Sequence, residues 1–538
     1  MTIAVVDWIV IGAYLASMVG FGLWLARKTR SSEDYFLGGR NIPPMIAAMS
    51  IMATQTSTNS LVGVPAFVAL KPGGGLRYLQ WEIALPVAML LIMVIFVPML
   101  WKSGVVTIYE YLERRFSLTA RLVLSAVFLL SRSLATGVTI YATAVILSVA
   151  TGAPIWGLIF IIGAVCLVYS TLGGLVADVY TDAIQLVVLW GCVFVSIGAV
   201  VYLLGDVSAL ATLSAERSVA LDFNQHGLGD GAEYGFWPLI IGGVFLYMSY
   251  YGTDQTQVQR VLAAPSVSSA RKSLFINGLL RFPLVMSYVV FGVALAALVA
   301  RHPEIIGQLS VSESGSPKWD ELVPVFIVNY LPTGLVGVMI AGMLAASMSS
   351  LDSTFNSLSA STMTDYVLRF KWLTGTNDAR YMLVARGSTF VWGLLCCLFA
   401  FVVGDISDTV VESVNKIGSV FYGPVLAVFL LAFTTRFVRS GPAIAGLAGG
   451  VGLNLYLWLA VPSVSWLWWN VFGFLLAVLV AIGFSLPHFK TTPAKSADEI
   501  RDSEKTTSTD LMRYLVLILA TVLILALSWG LSILVTAA

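Results

Sequence analysis

Fourteen times along the chain a run of about 20 mainly apolar residues recurs, the length that a helix needs to cross the hydrocarbon core of a bilayer. The runs begin near residues 5, 44, 77, 118, 153, 178, 235, 271, 324, 383, 410, 440, 464 and 510. A soluble domain carries about 25% charged residues; this chain has 11%, with 58% hydrophobic, so a water-soluble fold is excluded. The expected fold class is an all-α integral membrane protein of about 14 transmembrane helices. The connections, the longest roughly 206–234, 301–323 and 487–509, are too short for a folded soluble domain, which puts the chemistry inside the bilayer. The first run, Val5 to Ala26, is long enough to span and lacks a small-residue cleavage pattern, so it reads as a retained helix.

A formal net charge of +1 offers no electrostatic case for nucleic acid. The expected partners are a small-molecule solute and the lipid bilayer, with no obligatory protein partner. Cys166, Cys192, Cys396 and Cys397 lie in apolar runs without metal-ligand spacing, and His226, His302 and His488 fall in connections. The distribution of Lys and Arg sets the expected orientation. With the N-terminus outside, inner connections carry 22 of these residues against 5 in outer ones, and Arg132, Arg281 and Lys416 are left at membrane depth. The even number of spans then returns the C-terminus to the outside.

Two segments are poor lipid-facing helices. One runs Ala53-Thr54-Gln55-Thr56-Ser57-Thr58-Asn59-Ser60 and continues to Gly63 and Pro65; the other runs Tyr247-Met248-Ser249-Tyr250-Tyr251-Gly252-Thr253-Asp254-Gln255. Polar or interrupted backbone at membrane depth survives only where protein or a water-filled cavity covers it. Such segments five helices apart point to inverted repeats around a midplane site. Close packing through small residues is the plainer alternative.

The richest oxygen cluster is Ala346 to Ser353, where Ala346, Ser349, Ser350 and Ser353 share one helical face. That face suits a small hard cation, although membrane serines also bond back to their own backbone. Asp182 and Asp352 are intramembrane carboxylates and so functional candidates; for Asp182, a helix cap shared with Thr181 is the alternative. Arg132 lies about eleven residues into its span, roughly 16 Å from the inner face, too deep to snorkel. It is read either as a clamp on an anionic solute or as the partner of Glu82, Asp352 or Glu412. Arg281 and Lys416 are read as structural or gate charges.

Phe36-Leu37-Gly38-Gly39-Arg40, then Gly173-Gly174-Leu175 leading to Thr181-Asp182-Ala183-Ile184-Gln185, then Tyr251-Gly252-Thr253-Asp254-Gln255 through Gln259-Arg260, resemble the sodium/solute symporter family in order and spacing, over nearly the whole chain. That resemblance implies a LeuT-type fold: a leading helix in 1–43, a five-helix repeat in 44–205, its inverted counterpart in 235–435, and three peripheral helices in 436–538. It also implies sodium as the coupling ion. The matching sodium-site positions are Ala53, Thr56, Ala346, Ser349 and Ser350. A second sodium used by some members would fall on Asp182, Ser349, Asp352 and Ser353, where an acid replaces one of the usual serines. Solute positions carried over are Gln55, Ser57, Ser60, Gln80, Arg132, Tyr247, Tyr250 and Asn415. The acid and lysine of the sugar carriers look replaced by Gln80 and Asn277, while a glutamine with a deep arginine resembles the sialic acid carriers.

The expected function is therefore sodium-coupled symport of a small organic anion by alternating access, in a plasma membrane such as a bacterial inner membrane. A neutral sugar or amino acid as solute, and proton coupling through Asp182 or Asp352, are the alternatives within that class. No repeated filter sequence suggests a channel. No module beyond Ala538 suggests a sensor, and no nucleophile–base pair suggests an enzyme.

Overall fold

The computed structural model describes residues 3–27, 29, 31–206, 208, 213–231, 233–311, 315–373, 378–403, 410–488 and 507–537; for 403, 410–414, 488 and 536–537 it describes the backbone only. Eleven helices among them are long and apolar enough to cross a membrane. The main helices are α1 (Val5–Ala26), α2 (Pro44–Gln55), α3 (Thr58–Ala69), α4 (Leu79–Lys102), α5 (Leu118–Thr151), α6 (Ile155–Leu204), α7 (Gly243–Thr253) and α8 (Gln255–Leu262). They continue with α9 (Val267–Arg301), α10 (Leu335–Ser361), α11 (Asp378–Val403), α12 (Val410–Thr434), α13 (Ser440–Ala460), α14 (Trp466–Ser485) and α15 (Ser508–Ala537).

Three interruptions shape the bundle, each with a local cause. Between α2 and α3 the backbone leaves the helix at Thr56 (φ −92°, ψ 86°) and Ser57 (φ −84°, ψ 173°), in a run of hydroxyl and amide side chains that compete with helical hydrogen bonding. Between α7 and α8 it does so at Asp254 (φ −89°, ψ 121°), whose Oδ1 accepts from the Thr256 amide at 2.8 Å and caps the new helix. The third is at Gly174 in α6. Fifty residues of straight helix would run about 75 Å, far beyond a bilayer core. Gly174 takes φ 60°, ψ −164°, a glycine conformation, and a Cβ there would meet the Tyr35 carbonyl oxygen at 2.8 Å. The sequence reading accordingly starts separate spans near 153 and 178.

The helices differ sharply in how far protein covers them. Of the best apolar window, 89% of α10 is buried against 22% of α1 and 17% of α15. So α10, with the broken pairs α2/α3 and α7/α8, forms the centre, and α1 and α15 are peripheral. All four cysteines are buried and free.

Candidate functional site

Both broken helices contribute to one central cavity of about 110 Å³, room for several waters or a small solute. Gln55, Ser57 and Ser60 reach it from the α2/α3 break, Tyr250 and Leu246 from α7, and Ser350 and Thr354 from α10. Arg132 and Thr136 of α5 and Asn415 and Tyr422 of α12 complete the wall. Two positions carried over from the family face elsewhere. Gln80 donates to the Arg77 carbonyl at 3.2 Å and accepts from the Asp222 amide at 3.4 Å, while the Tyr247 hydroxyl is 3.4 Å from Glu82 Oε1. Neither lines the cavity: no residue of α4 reaches it, and from α7 Leu246 and Tyr250 do so instead of Tyr247.

Beside this cavity, oxygens from two helices converge. The Ser349 hydroxyl donates to the carbonyls of Ala53 and Ala346, at 3.2 Å each, and the Ser350 hydroxyl donates to those of Thr54 at 3.0 Å and Ala346 at 3.4 Å. Breaking the helix after Gln55 puts the Ala53 and Thr54 carbonyls in a last turn, the electronegative end of the helix dipole. Such a terminus with facing hydroxyls can hold a small cation through oxygen alone. Of the positions expected here, Ala53, Ala346, Ser349 and Ser350 come together. The Thr56 hydroxyl accepts from Arg281 Nη1 at 3.0 Å, and the second α2 carbonyl bonded to this serine pair is that of Thr54.

The positions expected for a second cation behave differently. Asp182 Oδ2 accepts from Ser50 at 2.6 Å and Ser353 at 3.3 Å, and Ser353 Oγ donates to the Ser349 carbonyl at 2.7 Å. Arg260 lies among them, fully buried, with Nη2 3.0 Å from Asp178 and 3.1 Å from Asp182 and hydrogen-bonded to Ser353. Asp352 completes a cluster of three carboxylates with Asp178 and Asp182, and accepts from the Tyr169 hydroxyl at 2.6 Å. The count of inner-loop charges includes Arg260, but the structure corrects this. Its neighbours Gln255, Gln257 and Gln259 make α8 polar enough to pass for a connection, although every residue of that helix is buried. The usable signal was Asp178 four residues before Asp182, two acids on one helical face needing a cation.

Arg132 also has a partner that the sequence reading does not name. It approaches neither Glu82 nor Asp352 but Asp254, with Nη1 3.7 Å from Oδ2, and its guanidinium lies 5.5 Å from the Tyr250 ring centre; the Glu412 side chain lies outside the described residues. Arg281 pairs with Glu82 at 3.6 Å, and Lys416 with Glu233 at 3.4 Å. An acid and a base from α4 and α9 therefore do meet inside the bundle. They stand two residues after Gln80 and four after Asn277, and neither lines the cavity.

Comparison with known proteins accords with this arrangement. Residues 35–450 match the model of the sodium:solute symporter family. The human sodium/iodide cotransporter is 29% identical over 463 residues, covering 85% of this chain and 70% of that protein. Sodium-coupled monocarboxylate transporter 2 of Bos taurus is 28% identical over 466 residues, covering 86% and 73%. The substrate-bound outward-open structure of a Na+-coupled sialic acid symporter shares the fold, with a TM-score of 0.78 and 23% identity over 91% of this chain and 99% of that one. A more distant fold match is MHP1, a nucleobase-cation-symport-1 family transporter (TM-score 0.55, 12% identity, 88% and 99% covered). This chain thus belongs to the sodium:solute symporter family: it is a multi-pass membrane transporter, not an enzyme, and sodium is its coupling ion.

Proposed function

We propose that the protein carries a small organic anion, a carboxylate or sialic acid-like solute, with sodium by alternating access. The observation that carries this reading is Arg132, a deep guanidinium on the wall of the cavity into which both broken helices open. The names of the relatives support it, since iodide, monocarboxylates and sialic acid are all anions. In this reading sodium sits among oxygens of Ala53, Thr54, Thr56, Ala346, Ser349 and Ser350 and joins α2 to α10, which shapes the adjoining wall of the solute cavity. Solute ligands are Gln55, Ser57, Ser60, Arg132, Tyr250 and Asn415. A second sodium at Asp182 and Ser353 would have to share its carboxylates with Arg260.

The repeats proposed are 44–205 and 235–435, after a leading helix in 1–43 and before three helices in 436–538. Fourteen spans result when α6 counts as two and each broken pair as one. Both termini then face outside, in a plasma membrane of the bacterial inner-membrane type. One sodium charge crossing 100 mV supplies about 2.3 kcal/mol, and each tenfold sodium gradient about 1.4 kcal/mol. One ion therefore sustains roughly a few hundredfold accumulation of an uncharged solute; for a monovalent anion, whose charge cancels that of the ion, a second sodium restores the voltage-driven part.

The test is uptake by purified protein in liposomes. Uptake of pyruvate or N-acetylneuraminate is expected only with an inward sodium gradient; equal uptake in potassium with a proton gradient would establish proton coupling instead. One observation favours a neutral solute: Asp254 already balances the charge of Arg132. Sodium-driven uptake of glucose or proline, with no competition by either anion, would establish that alternative.

A further inference from the structure

Arg132, like Arg281 at 3.6 Å from Glu82, is loosely held for an arginine of the interior, and of the two only Arg132 lines the cavity. Arg121, Arg260 and Arg271 each place a nitrogen 2.7–3.0 Å from a carboxylate, whereas Arg132 stands 3.7 Å from Asp254 and its buried Nε has no hydrogen-bond partner. Its charge is balanced while one donor, Nε, stands unused. Arg132 lines the cavity, whereas Asp254 is not part of the lining.

Asp254 has a second duty. Its Oδ1 caps α8, while its Oδ2 faces Arg132. One turn further on, Gln257 of the same helix donates to the Tyr250 hydroxyl at 3.0 Å, and the Tyr250 ring lies against the Arg132 guanidinium. Both groups on that side of the cavity, Arg132 and Tyr250, are thus tied to the first turn of α8. An anion arriving on Arg132 would bring a like charge close to Asp254 where water is scarce, and the repulsion would act on the residue that caps the helix. An uncharged solute would leave the tie in place.

We propose that Asp254 is the specificity-determining partner of Arg132, a tethered carboxylate holding the place on the guanidinium that the solute's anionic group takes. The exchange of one carboxylate for the other releases α8. This inference rests on the reading of Arg132 as the solute's ligand. It explains how a site can select for negative charge although its own charge is balanced, because only an anion undoes the balance.

The test follows the accessibility of α8 in the full-length protein in nanodiscs, by the rate at which a thiol reagent labels Val261→Cys. Val261 is buried on α8, and the four native cysteines are buried, so background labelling is low. Asp254→Asn keeps a capping oxygen and removes only the charge, since Asn caps as well as Asp. Asp254→Asn and Arg132→Gln should each raise labelling roughly tenfold, equivalent to ~1.4 kcal/mol, without any solute. The double variant should go no further, because both break one tie. Sodium salts of pyruvate, N-acetylneuraminate and iodide serve as anionic probes, with glucose as the uncharged one. An anion should raise labelling in Val261→Cys alone and not in Val261→Cys/Asp254→Asn, and glucose in neither.

Labelling unchanged by Asp254→Asn, or additive effects in the double variant, overturns the tie. Anions that act equally with and without the Asp254 charge, or on neither protein, overturn the exchange. Uptake by Arg132→Ala in liposomes is scored separately and decides the anion reading itself.

Discussion

Arg260 and Arg132 are both guanidiniums held by aspartates inside the bundle, yet they are built for different purposes. Arg260 is wholly buried and donates to the hydroxyls of Ser50 and Ser353, the Thr256 carbonyl, and two carboxylates at 3.0 and 3.1 Å. Each of its three guanidinium nitrogens is engaged within the bundle. Arg132 is 10% exposed, borders the cavity, and meets its aspartate at 3.7 Å with no direct hydrogen bond to it. A sealed arginine binds helices together; an under-bonded one at a cavity wall is available to a solute.

The difference can be broken most directly at Arg260. Arg260→Met leaves Asp178 and Asp182 buried without their cation and should cost about 3–5 kcal/mol, read as loss of folded protein on size exclusion and a fall in thermal midpoint. Arg132→Met, at the cavity wall, should lower the midpoint much less; equal losses would end the distinction. Next in size, Arg132→Ala should weaken anion binding roughly tenfold to a hundredfold, the worth of about 1.5–3 kcal/mol for hydrogen bonds to a charged group. The stabilisation that sodium confers in a thermal shift should survive that change. Ser350→Ala should do the converse, raising the sodium concentration for half-maximal uptake about tenfold and reducing the sodium-induced thermal shift. Smallest of all, Gln80→Ala should change the KM for solute less than about twofold, within the range of substitutions that touch no special feature, because its amide is used on Arg77 and Asp222. A large KM effect there would move the solute site toward α4.

Much of the cavity is legible along the chain. Thr54 to Ser60 and Tyr247 to Gln255 are too polar for lipid, so the breaks announce themselves, and six of the eight solute positions carried over from the family border the cavity. Ser349 and Ser350 fall on one face by helical spacing, and their carbonyl partners follow from the break beside them. What escapes is which charge meets which. Asp254 was visible as part of a motif, but nothing local links it to an arginine 122 residues earlier. Arg260 looked like a loop charge because its helix is short and polar, and hydropathy cannot distinguish a polar helix in water from one enclosed by protein.

By itself the sequence determined that the chain must live in a bilayer, where its helices break, that Arg132 lies too deep to snorkel, and which hydroxyls share a face. These follow from apolar run length, backbone chemistry and helical period, all of which act over a few residues. Only the tertiary structure decided that Arg260 is sealed and Arg132 open, that the Thr54 carbonyl joins the serine pair, and that Gln80 and Tyr247 turn away. Those outcomes depend on how helices far apart in sequence rotate and pack against one another, and a rotation of one residue, about 100°, moves a side chain from the cavity to a neighbouring helix.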